Sequence, residues 1–149
     1  MREHPDHHDA ELLLRLYELR REEKLRQARD WIIADFEAAS VDELFKKYPR
    51  GSKENTFYRM VVGYWDMAAS MVNNGLIKEE FFFENTQEFW VAWLRVKPLV
   101  ADMRGMFKNP YFLKNLETLA EKFENWMGQR APGALEVMQQ RLQAARKPA

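Results

Sequence analysis

The run Phe57-Tyr58-Arg59-Met60-Val61-Val62-Gly63-Tyr64-Trp65-Asp66-Met67-Ala68-Ala69-Ser70-Met71-Val72 decides the fold class. Wound as a helix, it is apolar on every side but one. Arg59, Gly63, Asp66 and Ser70 recur at four-three-four spacing and share a single narrow strip. A helix of this kind belongs in the middle of a domain. The pattern predicts a central helix over 55–74, closed by Gly75.

Outward from this helix the same period recurs. A first long helix is expected from Asp9, as N-cap, to Ala38, with charges at Arg20-Arg21-Glu22-Glu23-Lys24 dividing two apolar groups. Ser40 and Glu43 have the spacing of a capping box, opening a short helix that ends near Tyr48, before Pro49. Another short helix is expected over 78–84 and a long one over 87–107, kinked at Pro98. Asn109-Pro110 should start a helix running to Met127, with Gly128 closing it, and Pro132 should open the last one. Eight Val, three Ile and three Thr, against fifteen Leu and fifteen Ala, are too few for a substantial sheet. The expected fold is all-α: one irregular helical bundle of five to seven helices over 9–146, with flexible ends at 1–8 and 147–149.

Missing residue types exclude much chemistry. The chain has no Cys, and its three His (His4, His7, His8) stand in the first eight residues. Thiolate catalysis, cysteine metal sites and a His-based triad in the body of the chain are thereby removed. Lys plus Arg equals Asp plus Glu at 23 each, so a nucleic-acid partner is not expected. The longest charge-free run, Met67–Ile77, is well short of the roughly 20 residues a spanning helix needs. The start has no apolar signal stretch, and the expected location is cytoplasmic. His4, Asp6, His7, His8 and Asp9 are metal-ligand types, but ordering a loose terminus opposes binding. No metal or cofactor is expected. Glu80, Glu84 and Glu88 repeat every four residues, yet a helix break near Asn85 parts them.

The polar strip of the central helix is the main candidate site. Arg59 and Asp66 lie two turns apart, roughly 10 Å along the axis, and do not pair with each other. Arg95, Asp102 and Arg104 on the following long helix are candidate partners. With Tyr64, Trp65, Trp90 and Trp93 they would line a Trp-rich ligand pocket. A second candidate is the first helix, where Leu12, Leu13, Leu16, Tyr17 and Leu19 need cover. Leu12, Leu16 and Leu19 have the four-three spacing of a helix–helix seam. An unbroken helix over 9–38 would be about 45 Å long, more than the roughly 40 Å diameter of a domain this size. It therefore either breaks near Arg20–Lys24 or extends outward, where a second copy of the chain would cover it as a homodimer.

Three stretches carry a resemblance. They are Tyr64-Trp65-Asp66 through Val72-Asn73-Asn74-Gly75-Leu76-Ile77; Trp93 with Lys97-Pro98-Leu99-Val100 and Arg104; and Asn109-Pro110-Tyr111-Phe112 through Leu119. Together, over about 55–127, they resemble the bacterial helical family called domain of unknown function 4760. The resemblance implies a helical fold and assigns no activity or catalytic residue. Many such proteins look tethered by an N-terminal spanning helix, whereas Leu12–Phe36 here is interrupted by charges. The leading expectation is a non-enzymatic protein-interaction or self-association module. The alternatives are a ligand sensor using the Trp-rich pocket, and an enzyme using Asp66 or Asp102 with Arg59 or Arg104.

Overall fold

A computed structural model describes residues 4–146 of the chain. Every regular element among them is helical: α1 (His7–Arg20), α2 (Glu23–Ala34), α3 (Val41–Lys47), α4 (Lys53–Asn73), α5 (Glu79–Asn85), α6 (Glu88–Phe107), α7 (Lys114–Arg130) and α8 (Ala134–Ala145). The count is eight, not five to seven, because the expected first helix breaks in two at Arg21–Glu22. The Glu22 carboxylate caps α2 by accepting from the Leu25 N–H at 2.9 Å. Arg29 then folds back, donating to the Arg20 carbonyl at 3.0 Å and pairing with Glu88 of α6 at 2.7 Å. The last expected residues, 147–149, lie outside the described chain.

The cap of α1 is Asp6 rather than Asp9. Asp9 sits three residues in, accepting from the Asp6 N–H at 2.8 Å. It is fully buried, and its second oxygen accepts from the Lys78 N–H at 2.6 Å. One carboxylate thus caps α1 and the start of α5, a helix whose own N-cap offers no side chain.

Helix α4 is central, as its sequence predicts. It packs against α2, α5, α6 and α7 and buries ten residues, Trp65 among them at 1% exposure. Ser52 caps it and Gly75 ends it at φ 78°, with the Leu76 N–H reaching back to the Met71 carbonyl. On its α6 and α7 side lies an aromatic cluster. Phe123 meets Phe83 and Phe89 edge-on at 5.4 Å, and Trp90 packs beside it at 5.8 Å. Helix α6 continues through Pro98, which is exposed.

The segment after α6 departs from expectation. Asn109-Pro110 does not start a helix: residues 110–113 form a turn, and α7 begins at Lys114. The Asn109 side-chain oxygen accepts from the Tyr111 N–H at 3.0 Å, a local bond that favours a turn over a helix cap. At the other end α7 runs through Gly128 to Arg130, and α8 opens after Gly133.

Candidate functional site

The strip on α4 opens onto a cleft of about 650 Å³. Its floor is α4, from Asn55 to Asp66. One wall is α3, with Leu44 and Phe45, and Arg50 stands beyond it. The opposite wall is the end of α6, with Met103 and Phe107, followed by the turn carrying Asn109, Tyr111, Phe112 and Leu113. The lining is mainly apolar and aromatic.

The turn is held in place from behind. Arg104 donates through Nε to the Phe112 carbonyl at 2.9 Å and pairs with Glu117 at 3.2 Å. Phe107 and Phe112 meet edge-on at 5.2 Å. Lys108 and Leu113 bracket the turn at φ 52° and 54°, a left-handed conformation that side chains other than glycine adopt at a cost. Leu113 is buried at 5% exposure, so packing enforces its backbone.

Asn55 donates to the Tyr48 carbonyl at 2.9 Å and Asn109 is held by the Tyr111 N–H, but the charged groups of the cleft have no opposite charge among the described residues. Asp66 is half-buried and accepts from the Leu116 N–H at 3.0 Å through one oxygen. No cation pairs with it among the described residues. Burial raises its carboxyl above the ordinary value of 3.8, against the lowering pull of the Leu116 N–H. Arg59 is exposed on the same floor and has no carboxylate partner among the described residues. Arg50 lies over the Phe45 ring at 5.2 Å. Tyr58 is 3% exposed, and burial alone pushes its hydroxyl up to about 12.

Of the nine residues expected to form a pocket, the structure brings Arg59 and Asp66 together in this cleft and places the rest elsewhere. Trp65, Trp90 and Trp93 are core. Trp90 donates to Glu124 at 2.9 Å, and the Trp65 indole N–H is buried without an acceptor. Tyr64 turns to α1 and donates to the Leu16 carbonyl. Arg95, 8% exposed, donates to the Ile33 carbonyl and, at 3.0 Å, to the Leu142 carbonyl. Burial, then the nearby Arg146, push its guanidinium down to about 10. Asp102 is exposed outside the cleft.

The seam residues of α1 also divide. Leu16 is buried at 4%, and Leu12 and Leu13 pack partly on the core. Leu14, Tyr17 and Leu19 remain 61%, 47% and 52% exposed. Leu13, Leu16 and Tyr17 border a smaller cleft of about 260 Å³ with Tyr64 and Trp65.

Sequence reasoning missed Arg50, Tyr58, Phe107, Tyr111 and Phe112. The first four-residue step of the strip, Arg59 to Gly63, marked the floor. The opposite wall includes the turn at 109–113, a stretch expected to be helix. No group of three or more His, Asp or Glu among the described residues is placed to hold a metal ion, and none of their helices is long and apolar enough to cross a membrane.

No curated protein and no solved structure matches the chain. A family model does, over residues 5–123, from the cap of α1 into α7. Its span takes in the α4 floor, both cleft walls and the turn between α6 and α7, and so extends the 55–127 resemblance back through the first three helices. The chain therefore belongs to the family described as Domain of unknown function (DUF4760).

Proposed function

We propose that this domain is a small-molecule binding module whose site is the cleft between α3, α4 and the 109–113 turn. One observation carries the reading. The cleft falls within the roughly 300–1,000 Å³ of ligand sites, and inside an aromatic lining it holds charged groups with no opposite charge among the described residues. Cations that hold the fold are engaged: Arg29 by Glu88, Arg104 by Glu117, and Arg95 by the Ile33 and Leu142 carbonyls. Asp66 and Arg59 are left over, and a bound molecule would complete them. An enzymatic reading has less support, since Asp102 stands outside the cleft and Arg104 is committed to the turn. A fragment screen by protein-observed amide NMR tests the proposal. Hits should shift the amides of Val62, Gly63 and Leu113. Hits that map elsewhere, or none at all, overturn it.

Self-association is a second reading, favoured by the exposure of Leu14 and Tyr17 one turn apart on α1. Light scattering on the eluting protein tests it. A dimer that Leu14→Glu converts to monomer supports it, and a monomeric parent at micromolar concentration removes it.

A further inference from the structure

Gly63 stands at the middle of α4, where glycine is a poor helix former. Its backbone is not left-handed, so no turn requires it. Beyond its own helix backbone and chain neighbours, a Cβ at this position would meet nothing within 4 Å, so no neighbouring helix needs the space either. Gly105 and Gly128 are equally open, but they stand in the last turns of α6 and α7 and do not line the cleft. The room at Gly63 belongs to the cleft, between Arg59 one turn before it and Asp66 one turn after.

The chemistry at the two ends is opposite. Arg59 offers a guanidinium without a carboxylate partner. Asp66 offers one carboxylate oxygen without a cation, while the Leu116 N–H fixes the other. Seven residues separate them, about 10 Å along the axis, too far for a direct pair. The surface between is Val62, Gly63 and the aromatic wall at Phe107.

We propose that the cleft takes an elongated zwitterionic organic molecule, its anionic end on Arg59, its apolar middle across Gly63 and its protonated amine on Asp66. The inference rests on the cleft being the binding site. A molecule with both ends matches both unpaired groups, whereas a simple anion or amine leaves one of them uncompensated beside an apolar body.

Calorimetric titration with ω-aminooctanoate tests this, with octanoate and octylamine as single-ended controls. The two-ended probe should bind about tenfold or more tightly than either control. Asp66→Asn should weaken ω-aminooctanoate and leave octanoate unchanged, and Arg59→Gln should weaken octanoate and leave octylamine unchanged. Gly63→Leu should abolish binding of all three while its urea midpoint does not fall, which separates a filled cleft from a misfolded chain. Octanoate or octylamine binding as tightly as ω-aminooctanoate overturns the ligand class. So does failure of ω-aminooctanoate while fragments still map to Gly63, and the cleft then survives as a site. If no probe and no fragment reaches the cleft, both readings fall.

Discussion

At the scale of single residues, Asp66 and Trp65 are neighbours in sequence with opposite environments. Trp65 is 1% exposed and meets Tyr64 edge-on at 4.8 Å. Trp65→Ala should cost about 3–5 kcal/mol in urea unfolding with an unchanged slope. A loss below about 1 kcal/mol would contradict its place in the core. Asp66 gives a pH-dependent expectation. Folding raises its pKa above 3.8, so the folded chain holds that proton more tightly than the unfolded chain does. The ionised side chain therefore costs stability above the raised value, and the cost disappears as pH falls below 3.8. Asp66→Asn keeps an oxygen for the Leu116 N–H. It should be more stable than the parent at neutral pH and equal to it below 3.8. Urea midpoints at the two pH values check this, and equal midpoints at neutral pH would show that Asp66 already has a counter-charge.

Among elements, α1 depends on groups far from it in sequence. Arg29 closes its C-terminal end and ties that end to α6 through Glu88. Arg29→Gln should cost about 1.5–3 kcal/mol, the range for hydrogen bonds to charged groups. Amide exchange should quicken first near Arg20 and leave the α4 amides protected. Uniform acceleration across α4 would show that α1 is not a separate unit. The elements also show where sequence is informative. Helix α4 was legible because its period and its closing Gly75 agree with each other, although its Ser52 cap and first two residues were not read. The break at Arg21–Glu22 was marked by charges, but the choice between a break and an overhang rested on Arg29 and Glu88, 59 residues apart. At Asn109-Pro110 two local signals competed. The same pair suits a helix cap or a turn, and tertiary packing of Leu113 at positive φ decided for the turn. That one misread segment hid half of the cleft wall. The Trp-rich pocket failed for a different reason: indole rings at helical spacing serve packing as readily as binding, and periodicity does not tell the two apart.

For the whole molecule, the last helix is a docked addition. Helix α8 packs on α7 and α2, and Leu142 is its buried residue. Arg95 donates to the Leu142 carbonyl, and Arg146 just beyond α8 reaches the Phe36 carbonyl at 3.2 Å. A chain ending at Arg130 should still unfold in one transition, with about 4.5–9 kcal/mol lost from one buried leucine and two charged hydrogen bonds. Urea unfolding measures this, and a truncated chain without a cooperative transition would make α8 integral to the core. Asp9 has a consequence of another kind. Its buried carboxylate is satisfied by an N–H 69 residues later in the chain. During synthesis, at about 5–20 residues per second, that partner arrives roughly 3 to 14 seconds after Asp9 itself. Tyr64, which donates to the Leu16 carbonyl, and Glu88, which holds Arg29, are also late. On the ribosome α1 is thus made well before the groups that anchor it. A nascent chain stopped before Lys78 would carry α1 without its Lys78 and Glu88 anchors, more open to proteases and holding chaperones.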